Sequence, residues 1–166
     1  MILVTGASGY LGSHIVKQLV EAGKSVRALA RSRARAEAEG RLAGFKIEWA
    51  EGDVTKPESL AEAITGVEAV VHTVAVAIEK GPGAYEAINY QGTVNVVNAA
   101  KAAGVKRFVN TCQLAVCRRE VSEHGLRYSS QRVQAFRWPV GSSQWGISGV
   151  RRLLFLIIGA LKHPLR

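Results

Sequence analysis

The chain has 166 residues, enough for one domain that removes roughly two-thirds of its unfolded surface from water. Hydrophobic residues make up 48% and charged residues 21%, a globular composition that excludes a collagen-like or intrinsically disordered chain. The formal net charge of +9 is uneven, with 13 Lys and Arg against 11 Asp and Glu in residues 1–112 and 9 against 2 in residues 113–166; the balanced first part argues against a dedicated nucleic-acid-binding fold.

In chain order, Ile2-Leu3-Val4 reads as a first strand and Leu11, Ile15, Leu19 and Val20 as the apolar stripe of a first helix. Val26 to Ala30 reads as a second strand, and further strands are expected at Phe45 to Ala50, Glu68 to Val74 and Arg107 to Thr111. Helices are expected near Ala34 to Leu42, Pro57 to Ile64 and Ala84 to Ala103. Gly23, Gly66 and Gly104 each separate a helix from a strand, where a left-handed residue is expected. The alternation predicts an α/β fold: a doubly wound parallel sheet with right-handed crossovers, in the order 3-2-1-4-5.

After Cys112 the pattern decays into an Arg-rich stretch with no sustained period, and an irregular C-terminal segment is expected. Residues 1–117 are read as the domain, and residues 118–166 as a divergent basic segment that is not an independent one. Leu153 to Leu161, flanked by Arg151, Arg152 and Lys162, is about half the roughly 20 residues needed to span a bilayer. It reads as a buried helix or strand, or as a basic membrane-surface or partner-binding segment. Cys112 and Cys117 make neither a disulfide framework nor a zinc site, and the N-terminus opens directly on a strand, so a reducing cytoplasm is expected.

Gly6-Ala7-Ser8-Gly9-Tyr10-Leu11-Gly12 places glycines at the spacing G-x-x-G-x-x-G between the first strand and the first helix. A triple glycine alone is weak evidence; the strand that ends at Thr5 and the helix that begins at once give it meaning. Gly6 permits the tight turn, Gly9 lets the main chain approach a pyrophosphate, and Gly12 lets the helix pack closely on the strand. The free N–H groups at the helix start then face an anion. The loop is read as a Rossmann-type dinucleotide cradle, with Gly6, Ser8, Gly9, Tyr10, Leu11 and Gly12 as its binding residues.

An NAD site would place Asp or Glu at the end of the second strand, to accept hydrogen bonds from ribose hydroxyls. Arg31 stands there, followed by Ser32, Arg33 and Arg35. Cations at that point suit a 2′-phosphate, so NADP(H) is favoured, with NAD(H) as the alternative. Otherwise these arginines form the solvated first turn of the helix through Glu37 and Glu39. Asp53, in Glu51-Gly52-Asp53-Val54, is placed to hydrogen-bond an adenine edge, or else serves as a helix N-cap or turn residue.

Further along stand Val71-His72-Thr73-Val74-Ala75, Asn89-Tyr90-Gln91-Gly92-Thr93-Val94-Asn95-Val96 and Ala103-Gly104-Val105-Lys106-Arg107-Phe108-Val109. With the glycine loop and Gly52-Asp53, these resemble the extended and atypical branches of the short-chain dehydrogenase/reductase superfamily, the NAD-dependent epimerase/dehydratase and NAD(P)H-binding proteins. The resemblance covers residues 1–117. It implies that Asp53 and Val54 lie beside the cofactor. It also implies that Thr73, Val74 and Ala75, in the loop after His72, follow its ribose and nicotinamide, and that Asn89 braces the site. On the residues alone, His72 and Asn89 are equally readable as satisfied polar groups at a strand end and on a packed helix.

The family's chemistry implies a Tyr that exchanges a proton with substrate, a Lys four residues on that lowers its pKa, and a Ser or Thr that orients the substrate. This chain departs from each requirement but the first. Gln113 stands in the register of the orienting Ser or Thr, and Tyr128 and Arg132 have the Y-x-x-x-K spacing with Arg for Lys. Arginine keeps the charge but cannot supply the flexible ammonium that also holds the ribose. Tyr128 and Arg132 are the candidate catalytic pair, against the reading of Tyr128 as an ordinary surface or core residue.

Family members continue well past this length, so the chain reads as a shortened or frame-shifted relative. Translating the coding DNA in the other two frames is then expected to recover Y-x-x-x-K. Two functions follow. One is an NADP(H)-dependent oxidoreductase or epimerase/dehydratase-like enzyme acting on a small carbonyl, hydroxyl or sugar-nucleotide substrate. The other is a catalytically inactive NADP(H)-binding sensor or accessory subunit. A third reading, a fragment that folds poorly alone, follows if the fifth strand is left as an uncovered edge.

Overall fold

The central strands are short, mainly aliphatic runs, and in a computed structural model describing residues 1–76, 81–112, 132–137 and 142–146 they lie side by side. β1 spans Ile2–Thr5, β2 Val26–Ala30, β3 Glu48–Glu51, β4 Ala69–His72 and β5 Arg107–Cys112. All four residues of β1 and of β4 are buried, as expected where both faces of a parallel sheet are covered. The parallel part runs β3-β2-β1-β4-β5, the order read from the sequence. Register aligns the strand ends: Thr5 lies opposite Leu29 and His72, and His72 lies opposite Asn110.

Between the strands, α1 spans Tyr10–Glu21, α2 Arg33–Ala38 and α3 Leu60–Ile64 after a 3₁₀ turn at Pro57–Ser59. A π-helical segment, Tyr85–Gln91, runs directly into α4, Gly92–Ala102. The sequence pattern predicts one helix there; a period near 3.6 in the apolar residues does not register the wider turn. α2 stops short of the expected Leu42 because Gly40, in left-handed backbone, donates its N–H to the Glu37 carbonyl. β3 starts after the expected Phe45 because the Phe45 N–H closes a turn on the Leu42 carbonyl at 3.2 Å.

The core has two layers, one on each face of the sheet. Ile2, Val4, Ala28, Val71 and Val109 pack under Ile15, Val16 and Leu19 of α1. Leu3, Leu29, Val70 and Phe108 pack on the other face under Leu60 and Ile64 of α3 and Val96 and Ala100 of α4. Residues 2, 3 and 4 of β1 thus alternate between layers, as the pleat requires.

Two strands extend the sheet where the sequence shows no sustained period. β6, Arg132–Arg137, pairs antiparallel with β5, Cys112 opposite Arg132 and Arg107 opposite Arg137, and β7, Ser142–Gly146, pairs antiparallel with β6. Among the described residues β5 is therefore paired on both sides. Gln113, Tyr128 and the run Leu153 to Leu161 lie outside the described residues. Among the described residues no helix is long and apolar enough to cross a membrane.

Candidate functional site

The site begins where β1 ends. Gly6 takes φ +70, a conformation that favours glycine, and its carbonyl accepts the Gly9 N–H at 3.0 Å. A Cβ on Gly6 would stand 2.8 Å from the Thr73 hydroxyl oxygen, so the turn is pressed against the loop that follows β4. That loop is tied to β1 directly: the Thr73 hydroxyl donates to the Thr5 carbonyl at 2.6 Å. Gly12, one turn into α1, lies so close to the turn that a Cβ there would stand 2.1 Å from the Gly6 carbonyl oxygen.

A cleft of about 410 Å³ opens at the carboxyl ends of the strands, where the strand order reverses and ligands bind in open α/β sheets. Of the expected residues, Gly6, Ser8, Gly9, Arg31, Asp53, Val54, Thr73, Val74 and Ala75 line it. Tyr10, Leu11, Gly12 and Asn89 stand behind or beside its wall. Tyr10 is exposed and meets His14 edge-on at 4.9 Å between ring centroids. Leu11 packs against the α1 side of the core, and Gly12 lies beneath Gly6. Leu29, Ala30, Gly52, Thr55, Val76 and Ile88 also line the cleft. Strand register alone brings Leu29 and Ala30 there, and Ile88 arrives on the π-helical segment.

The arginines after β2 divide into two groups. Arg33 pairs with Glu37 at 2.9 Å and Arg35 with Glu39 at 3.6 Å, both on the exposed surface of α2, so for these two the helix-surface reading holds. Arg31 is exposed and lines the cleft. Arg41, which the sequence reading did not single out, donates from Nη1 to the Ser8 carbonyl at 3.2 Å. Its distance along the chain from the glycine loop hides it from any local motif.

Asp53 is both a turn residue and a lining residue. Its Oδ1 accepts the Thr55 N–H at 2.9 Å and the Thr55 hydroxyl at 2.8 Å. Burial raises its pKa, but these two hydrogen bonds and the Arg31 and Lys56 cations outweigh it and hold the carboxyl below its ordinary value. It is therefore an acceptor near neutral pH.

Asn89 and Asn95 clamp the two walls of the cleft to one helix. Asn89 Oδ1 accepts the Val76 N–H at 2.8 Å and its Nδ2 donates to the Val76 carbonyl at 3.0 Å. Asn95 Nδ2 donates to the Val54 carbonyl at 2.9 Å. Both side chains are buried, so Asn89 supports the Thr73–Val76 wall from behind. Asn89→Asp should keep the acceptor and lose the donor to Val76; we expect a loss of about 1–3 kcal/mol in urea unfolding, with Asn95→Asp comparable.

The candidate catalytic pair is not brought to the cleft by anything described. Tyr128 lies outside the described residues, and Arg132 is described by its backbone at the start of β6. Among the described residues no cluster of His, Cys, Asp or Glu is arranged to hold a metal ion.

Comparison with known proteins agrees with this geometry. The family described as NAD(P)H-binding matches residues 6–137. A 3-beta-hydroxysteroid dehydrogenase of Mycolicibacterium neoaurum is 33% identical over 123 residues, which are 69% of this chain and 32% of that protein. A short-chain dehydrogenase/reductase superfamily protein from Agrobacterium tumefaciens, solved with bound NAD, superposes with a TM-score of 0.56 at 34% identity, covering 68% of this chain and 32% of that one. An NADPH-dependent quinone oxidoreductase from Escherichia coli, solved with NADPH, superposes with a TM-score of 0.56 at 30% identity, covering 69% and 37%. The chain thus spans about a third of the length of the curated relatives it matches. With the cradle, the strand order and a family match over most of its residues in agreement, the chain belongs to the NAD(P)H-binding family of short-chain dehydrogenase/reductase-type proteins.

Proposed function

We propose that this chain holds NADP(H) in the cleft at the ends of β1, β2 and β4 and serves an oxidoreductase or epimerase/dehydratase-like reaction. The substrate class is a small carbonyl, hydroxyl or sugar-nucleotide compound. The observation that carries the coenzyme reading is Arg31, a guanidinium on the cleft wall where an NAD site needs a carboxylate. Arg41, bonded to the Ser8 carbonyl, adds a second cation beside the glycine loop. The residues present suit the coenzyme: Gly6 and Gly9 offer no bulk to a diphosphate, Ser8 lies between them on the cleft wall with its main-chain N–H, and Asp53 offers an acceptor to the adenine edge. When bound, the coenzyme supplies hydride exchange. The chain's own part is to bind and orient it, with Thr73, Val74 and Ala75 forming the wall expected along its ribose and nicotinamide. The same reading places the protein in the cytoplasm, with residues 1–117 as the binding domain and residues 118–166 as an appended basic segment.

Calorimetry of the full chain tests this. NADPH should bind more tightly than NADH, and Arg31→Asp should weaken NADPH about ten- to hundredfold while NADH holds or gains. No heat with either coenzyme would overturn the reading, and an unchanged preference in Arg31→Asp would overturn the choice of NADP(H).

A second reading, a non-catalytic NADP(H) sensor or accessory subunit, draws on Gln113 in the Ser/Thr register and Arg132 in the Lys register. It predicts tight NADPH binding with no NADPH oxidation across a carbonyl panel, and no change in either measurement with Tyr128→Phe.

A further inference from the structure

The buried imidazole of His72 takes no part in lining the cleft, yet it stands between three of the segments that do or that brace them. It ends β4 with no exposed surface, beside the Phe108 ring at 6.2 Å between centroids. Its Nδ1 is 2.6 Å from the Thr5 hydroxyl oxygen, and its Nε2 is 3.1 Å from the Thr93 hydroxyl oxygen.

The direction of each hydrogen bond follows from its neighbours. Thr93 has one hydroxyl proton, and that proton goes to the Asn89 carbonyl at 2.6 Å. Its oxygen can therefore only accept from His72, so Nε2 carries the hydrogen. Burial lowers the His72 pKa to about 4, so the ring is neutral near pH 7 and Nδ1 is bare. Nδ1 then accepts the Thr5 hydroxyl proton, while the Thr73 N–H is shared between the Thr5 hydroxyl oxygen at 3.3 Å and the Thr5 carbonyl at 3.2 Å. The result is one directional chain: Thr73 N–H to Thr5, Thr5 to His72, His72 to Thr93, and Thr93 to the Asn89 carbonyl. At its ends lie the Thr73 wall and the Asn89 clamp on Val76, and at its middle lies the residue before Gly6.

We propose that His72 is a positioning residue for dinucleotide binding. Fixed as the Nε2–H tautomer between Thr5 and Thr93, it holds the glycine turn and the Thr73–Val76 wall at one spacing against the π-helical segment and α4. Its hydrogen-bonding capacity is fully used inside the protein, so it acts through the loops it ties and touches no ligand. The role in binding rests on the coenzyme reading above; the tautomer does not.

Two measurements on the full chain test it. Nitrogen-15 spectra of the imidazoles should show His72 with a protonated Nε2 and an unprotonated Nδ1 from pH 6 to 8, with or without NADPH. Calorimetry should show Thr93→Val, which removes only the hydroxyl, binding NADPH about three- to tenfold more weakly, while Thr93→Ser stays within about twofold of the wild type. His72→Phe combined with Thr93→Val should bind no worse than His72→Phe alone, because both break one chain. A proton on Nδ1, a charged ring at pH 7, or full NADPH affinity in folded Thr93→Val would each overturn the proposal. If Thr93→Val does not fold, the wild-type spectra together with Thr93→Ser still decide it. Failure of the wild-type protein to bind either coenzyme would instead defeat the coenzyme reading, and the spectra would still judge the tautomer.

Discussion

Replacing Gly12 with alanine should destabilise the protein by about 3 kcal/mol or more and abolish dinucleotide binding, although alanine is the better helix former by about 1 kcal/mol. The added Cβ would stand 2.1 Å from the Gly6 oxygen, 2.7 Å from the Gly6 carbonyl carbon and 2.9 Å from the Ala7 Cα. All three are main-chain atoms of the phosphate turn, so no rotamer change relieves the overlap. Either the turn opens, which misplaces its N–H groups, or α1 lifts from the sheet and uncovers Ile15, Val16 and Leu19, each now buried and each worth roughly 1.5–3 kcal/mol. Gly23→Ala is the control. Gly23, unlike Gly12, takes a positive φ, but nothing lies within 4 Å of its Cβ position, so the expected loss is about 1 kcal/mol. Urea midpoints and NADPH calorimetry check both; a Gly12→Ala protein as stable as Gly23→Ala would show that the close approach is not required.

Lowering the pH from 6.5 to 4 should remove about 3 kcal/mol of stability through His72 alone. The folded-state pKa is pushed down by burial from 6.5 to about 4, so within that window the unfolded chain binds the proton and the native chain does not. Stability is complete above the unfolded pKa and is lost as the pH falls toward the folded one. The groups described against the ring are Thr5, Thr93 and Phe108, with the Thr111 hydroxyl on the His72 carbonyl; none of them is a charged partner that would hold the ring protonated. The Asp53 carboxyl, held below its ordinary value, titrates beneath the window. Stability of the wild type against His72→Phe, measured by urea at pH 7, 6, 5 and 4, should show a slope that the variant lacks. Parallel curves would mean that the imidazole is not kept neutral by the fold.

The strand order was legible because three signals agreed along residues 1–112. The aliphatic runs, the helical stripes and glycines such as Gly23, Gly66 and Gly104 all marked the same boundaries, and all three glycines have positive φ. The places of the glycine turn, Arg31 and Asp53 on the cleft were legible for a related reason: each lies within a few residues of a strand end that local sequence marks. Arg33 and Arg35 read as cleft cations in sequence but spend their charge on Glu37 and Glu39, a choice made by helix spacing. Arg41 and Ile88 were not legible, since only the folded chain brings them to the loop and the cleft. Nor were β6 and β7, whose residues show no sustained period; β6 pairs along β5 and β7 along β6, an arrangement that only the folded chain sets.

Sequence alone therefore determined which segments become strands and where the glycine turn falls, because both follow from side-chain period and glycine placement within a few residues. Tertiary structure decided what Asn89, Thr93, Asn95 and His72 do. Their partners Val76, Val54 and Thr5 are 13 to 67 residues away along the chain, and a buried polar group takes whichever partner the fold delivers, since leaving it unpaired costs more than any local preference supplies.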